Sequence, residues 1–303
     1  VLDAAFQLLR EHTRSLFVLS TIVVIPGLAF GIVNQLVFGD IMRTATVNPT
    51  ASLANAGRLV AVILPTMLLW MCWFMVGFGA LISAASTAYL DGENREPGEA
   101  LRAARSRAGT LVGAGLLTWL IVVLQFLGIM LVLSIALGLL GGAVAAMTGM
   151  MRSPVAAGAM AIVFGLAIAA LFIVAGVALV GRYVALPAVI MHETLGARAA
   201  MRRARELARG SMRRIIALLL LVAVLFLIVS FGTLGVFMAL LRSPVLASVL
   251  ANIVNVPLYA LAGAIVTVLY FDLRIRGEGL DIEMLAAELD ALPPNAVTSE
   301  GAS

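Results

Sequence analysis

Charged residues fall in clusters along this chain, and between the clusters lie six stretches with no Asp, Glu, Lys or Arg: Leu16–Gly39, Leu59–Leu90, Thr110–Met151, Ser153–Gly181, Ile215–Leu241 and Ser243–Phe271. A helix needs about 20 apolar residues to cross about 30 Å of hydrocarbon. Each stretch therefore predicts one membrane-spanning helix. Thr110–Met151 is long enough for two short crossings, but Gly141-Gly142 and the small residues after it predict a turn or re-entrant end rather than a second span. Pro26, Pro65, Pro187 and Pro257 lie in or beside these stretches, where neighbouring helices can satisfy the carbonyls that a proline frees.

The short segments preceding the first, third and fifth stretches have a different pattern. Apolar positions recur at helical spacing, as in Leu2, Ala5, Phe6 and Leu9, or Ala197, Ala200, Met201, Ala204 and Ala208, with Arg between them. Such helices lie along a membrane surface with their Arg face toward headgroups. The three segments align: Ala5-Phe6-Gln7-Leu8-Leu9-Arg10, Ala100-Leu101-Arg102-Ala103-Ala104-Arg105 and Ala200-Met201-Arg202-Arg203-Ala204-Arg205. The spacing of the segments equals one interfacial helix plus two spans. The expected fold is an all-α polytopic membrane helical bundle of six transmembrane helices, built as three repeats of an interfacial amphipathic helix plus a transmembrane hairpin. Residues 1–290 form the membrane domain and 291–303 a flexible cytoplasmic tail.

Composition agrees with this class and narrows the chemistry. Hydrophobic residues make up 62% of the 303 positions and charged residues 12%, far from the soluble norm of about 25% charged. All 20 basic residues are Arg, which excludes a P-loop lysine and Schiff-base chemistry. One cysteine, Cys72, cannot form a disulfide within the chain, and His12 and His192 are too few and too far apart to suggest a metal site. No cofactor and no catalytic constellation is expected.

Sidedness follows from the Arg distribution. Sixteen of the 20 lie before the first span, after the second, between Arg182 and Arg214, or after the sixth; Arg43, Arg58, Arg152 and Arg242 fall on the alternate face. The positive-inside rule then places both termini in the cytoplasm, with a bacterial inner membrane as the expected location. Leu16–Gly39 exceeds the h-region of a cleavable signal, about 7 to 15 residues, so the first span is expected to be retained.

The opening Val1-Leu2-Asp3-Ala4-Ala5-Phe6-Gln7-Leu8-Leu9-Arg10-Glu11-His12 and the closing Leu269-Tyr270-Phe271-Asp272-Leu273-Arg274-Ile275-Arg276-Gly277-Glu278-Gly279-Leu280-Asp281 resemble bacterial proteins carrying the glycerophosphoryl diester phosphodiesterase membrane domain and related six-span proteins. Ala204-Arg205-Glu206-Leu207-Ala208-Arg209-Gly210-Ser211 is similar to a third patch of that group. The resemblance implies the six-span layout. It implies no phosphodiesterase activity, because that chemistry belongs to a separate soluble barrel whose catalytic His and metal-binding carboxylates have no counterpart in this sequence.

The residues that could act are few. Arg202, Arg203, Arg205, Arg209, Arg213 and Arg214 form the densest basic run and are expected to contact anionic headgroups, at about 1 kcal/mol per Arg near the surface. The run has no stacking aromatics, so nucleic acid is not an expected partner. Arg182 and Asp272 should lie at similar depth, where they can form an ion pair, although Arg182 can instead snorkel to phosphates. Gln125, Asn252 and Asn255 can line a polar path between spans or hydrogen-bond helices together. The expected function is a non-enzymatic scaffold or accessory subunit binding anionic lipid, with a membrane-protein partner or a second copy. The alternative is a small transporter or channel.

Overall fold

A computed structural model describes residues 1–47, 52–150, 173–241 and 243–278 of the chain. Among them there is no strand. Six helices are long and apolar enough to cross a membrane, and the fold is an all-α polytopic bundle. The tail expected at 291–303 and most of the fourth charge-free stretch lie outside the described residues.

The three repeats are visible in the element order. Interfacial helix α1 (Leu2–Glu11) leads into α2 (Thr13–Val47) and α3 (Ser52–Asp91), and α4 (Pro97–Ser106) leads into α5 (Ala108–Met150). The return of that second unit ends in a helical stretch α6 (173–181) and a short α7 (Leu186–His192). In the third unit α8 (Ala197–Arg209) precedes α9 (Met212–Leu240), α10 (Pro244–Val254) and α11 (Val256–Glu278). Each interfacial helix packs chiefly on another unit: α4 on α3, α1 on α11, and α8 about equally on α7 and α5. The three units thereby close into a ring. The aligned alanines make this possible, since Ala5, Ala100 and Ala200 are each 0% exposed. A methyl is all that fits between an interfacial helix and the span beneath it. α11 crosses the centre of the charged end, with Ala264, Leu269 and Tyr270 fully buried.

The turn expected at Gly141-Gly142 does not form. α5 runs unbroken for 43 residues through both glycines, about 64 Å at 1.5 Å per residue. A glycine costs a helix about 1 kcal/mol relative to alanine, whereas freeing backbone groups in an apolar medium costs several. With no proline present, the continuous helix wins. α2 and α3 likewise pass through Pro26 and Pro65.

Two prolines do interrupt their spans. Pro257 has no N–H and its ring crowds the carbonyl of Ile253, so the sixth stretch bends between α10 and α11. There the Asn255 N–H bonds to Ala251 O and Asn252 O at 3.1 and 3.2 Å, and the Leu258 N–H to Asn255 O at 3.0 Å. Before Pro187 the chain tightens over Arg182–Ala185, with Tyr183 N–H donating to Val180 O at 2.9 Å and Leu186 N–H to Tyr183 O at 3.0 Å. The fourth span consequently ends at His192 rather than at Gly181.

Close packing uses glycine where the helices touch. A Cβ at Gly77 would lie 2.6 Å from Val23 Cγ2, and one at Gly79 or Gly115 would lie 2.7 Å from Leu111 or Met75. A Cβ at Gly113, by contrast, would have nothing closer than Ala197 Cβ at 4.0 Å. Gly92 adopts φ +68° and ends α3, a left-handed backbone that favours glycine.

Candidate lipid-facing site at the arginine-rich end

The Arg-rich segments meet at one end of the bundle and divide into a set bonded to carboxylates or helix-terminal carbonyls and a set without a carboxylate partner among the described residues. Arg203 on α8 is the hub of the bonded set. Its Nε lies 3.1 Å from Glu193 Oε2, and its Nη1 pairs with Glu278 at the end of α11. Tyr270 Oη donates to Glu193 Oε1 at 3.2 Å, and Arg274 Nε to Glu278 Oε2 at 3.2 Å. The hydrogen-bonded Glu278 carboxylate, with Glu193 adding to it against the opposing cost of burial, holds the Arg203 guanidinium above its ordinary pKa. Arg107 closes the end of α7, its Nη1 donating to Ile190 O at 2.6 Å and Glu193 O at 3.0 Å. These contacts satisfy helix-terminal carbonyls that would otherwise be orphaned.

Asp272 does not pair with Arg182. Its oxygens are taken by Arg214 Nη1 at 2.8 Å and Arg276 Nε at 3.1 Å, while Arg182 projects outward on the preceding turn, exposed and outside any ion pair among the described residues. The reason is geometric. Arg214 opens α9 beside α11 and reaches across, and Arg276 lies one helical turn along α11 itself. The expected headgroup contacts divide in the same way. Arg203 and Arg214 are spent on carboxylates, whereas Arg202, Arg205, Arg209 and Arg213 remain exposed. Beneath them Ala200, Met201, Ala204, Leu207 and Ala208 are buried.

The polar residues proposed to line a path are not gathered. Gln125 is exposed on α5. Asn252 lines a cavity of about 220 Å³ with Gly27, Trp70, Phe74 and Tyr259, and its Nδ2 donates to Ser248 O at 2.8 Å. Asn255 is buried at the bend, its Oδ1 unpartnered among the described residues.

No family model, curated protein or solved structure matches this chain. The site is therefore read from its own geometry.

Two further features lie at this end. A polar pocket of about 340 Å³ includes Ser83, Ser86, Asp91, Arg95, Arg107 and His192. Its cations are committed: Arg95 Nη1 donates to Ser83 Oγ at 2.9 Å, and Arg107 serves the carbonyls of α7. A larger apolar groove of about 850 Å³ lies between α2 and α3 and reaches the α4–α5 junction, where Arg105 is its one charged lining residue. In the sequence Arg105 enters only the repeat alignment and the count of arginines that sets sidedness. Its position equivalent to Arg10 and Arg205 was the available signal that it belongs to a repeated site.

Proposed function

We propose that this integral membrane protein is a non-enzymatic scaffold or accessory subunit that grips the cytoplasmic leaflet through Arg-rimmed interfacial helices. The observation carrying this reading is α8, whose apolar face is buried against the bundle while Arg202, Arg205 and Arg209, with Arg213 just beyond it, stay exposed. A guanidinium already neutralised by a carboxylate has little left to offer a phosphate. These four are not so neutralised, and each near an anionic surface contributes about 1 kcal/mol. α9 follows directly and exposes Leu221, Val224, Leu227, Ile228 and Phe231, a continuous apolar surface for lipid, a partner membrane protein or a second copy. Gln125 is exposed on α5 and does not line the cavity beside Asn252, which supports this reading over a transporter.

The test replaces Arg202, Arg205, Arg209 and Arg213 together by Gln and counts anionic lipids retained through mild detergent purification. Retention should fall, and wild-type retention should weaken with salt because headgroup attraction is screened over about 8 to 10 Å. Unchanged retention in the fourfold variant would overturn the reading.

A further inference from the structure

The repeat register assigns equivalent residues to two surface concavities. Phe6, Arg10, Thr13 and Phe17 line one beside α1. Leu101, Arg105, Ala108 and Val112, each 95 positions later, line the groove at α4 and α5. In the third unit the corresponding residues are Met201, Arg205, Ala208 and Met212. There the space is filled from within: Met201 and Ala208 are buried, and the Tyr183 ring lies 5.7 Å beneath the Arg205 guanidinium.

Charge separates the two open positions. The first includes Asp3 and Glu11 beside Arg10, an excess of negative charge that repels an anion. In the second unit the same register positions are Gly98 and Ser106, and Gln7 is replaced by Arg102. Arg105 is exposed and makes no ion pair among the described residues. Below it the groove is walled by Ala29, Phe30, Leu69, Trp70, Trp73 and Val76. Along α3 it runs from Gly77 to Thr66, eleven residues or about 16 Å, close to one leaflet of a hydrocarbon core about 30 Å thick.

We infer that the α2–α3 groove beneath Arg105 is a specific site for one anionic phospholipid, with the phosphate on Arg105 and an acyl chain along Trp73 and Leu69. The inference deepens the leaflet-gripping reading and rests on it for orientation. An unpaired cation above an apolar slot of leaflet length matches the two halves of such a lipid, and the third unit meets the same demand with its own tyrosine.

Trp70 and Trp73 report on the groove directly. In a Trp119→Phe background, which leaves these two as the only tryptophans, the protein is placed in nanodiscs containing a small fraction of lipid brominated along its chain. Quenching by brominated phosphatidylglycerol is compared with quenching by brominated phosphatidylcholine. The reference protein should favour the anionic lipid about fivefold, the worth of one Arg near a surface. Arg105→Gln should remove that preference and Arg105→Lys should keep most of it. Ala29→Phe, at an exposed lining position, should reduce quenching by both lipids by filling the slot. Arg202→Gln, Arg209→Gln and Arg213→Gln combined should leave the preference intact. An Arg105→Gln protein with unchanged preference, or Ala29→Phe with unchanged quenching, overturns the site. Preference lost in the triple variant but kept in Arg105→Gln overturns the site while leaving the collar reading in place. Oxidative cross-linking through Cys72, the one cysteine and a lining residue, would place a second copy in the groove and also overturn it.

Discussion

Arg202 and Arg203 are neighbours in sequence, yet the structure gives them opposite work, and a pair of single substitutions separates them. Arg203 is 26% exposed and joins Glu193, 20% exposed, to Glu278, 25% exposed. Replacing Arg203 by Gln leaves the Glu193 carboxylate without a cation and Glu278 with Arg274 alone. Breaking a fully buried pair costs about 3 to 5 kcal/mol, and an exposed pair contributes about 0 to 1 kcal/mol. With each member about one quarter exposed, the expected loss is about 2 kcal/mol. Arg202→Gln removes no ion pair and should stay within about 0.5 kcal/mol of the wild type. The assay is reversible unfolding in mixed micelles, followed by far-ultraviolet circular dichroism. A second arm uses Glu193→Gln. In the wild-type background it takes one of Arg203's two carboxylates and leaves it held by Glu278; in the Arg203→Gln background it removes a carboxylate that has already lost its cation. It should therefore be less harmful in the second background, with a coupling of about 1 kcal/mol or more. Equal stability of Arg202→Gln and Arg203→Gln, or additive losses in the double variant, would refute the assignment of Arg203 as a staple between α8 and α11.

Asp272→Asn should lower stability by about 1 kcal/mol in the same assay, because it releases Arg214 and Arg276, whose side chains are 42% and 62% exposed; Arg182→Gln should change stability by less than about 0.5 kcal/mol. Reporter fusions after Asp91, Gly196 and Gly277 should all read cytoplasmic, and an external signal at any one of them would break both the ring of interfacial helices and the orientation on which the lipid reading depends.

The bundle was legible because the membrane imposes a crude rule on sequence. Charge-free length identifies spans, and repeated Ala and Arg positions identify the interfacial helices. Ala5, Ala100 and Ala200 carried the most information, since their common burial is what packs each interfacial helix onto a span from another unit. What could not be read was where helices end when no charge marks the boundary. Gly141-Gly142 looked like a turn because glycine punctuates soluble chains. In an apolar medium the backbone keeps its hydrogen bonds, and α5 continues through them. Pro65 and Pro257 look alike in sequence, yet only the latter divides its span into two helices, because the cost of a proline depends on what can satisfy the freed carbonyl.

Charge pairing was illegible for a related reason. Depth along a span follows from residue count, so Arg182 and Asp272 could be placed at one level, but azimuth around the bundle depends on how the helices pack. Asp272 faces Arg214 across the α9–α11 boundary and Arg276 along its own helix, leaving no oxygen turned toward Arg182. The same logic explains why counting Arg in the α8 run overstated its reach toward lipid. Seven guanidiniums between Arg198 and Arg214 suggest a uniform collar, but every cation turned inward to a carboxylate is lost to the surface. Once Arg203 and Arg214 are assigned to carboxylates, the free charge near α8 is reduced, and Arg105 on α4, one of three arginines between Arg102 and Arg107, becomes the cation best placed above an apolar slot. A site of this kind is set by which cations the fold leaves unpaired, and density along the chain does not reveal it.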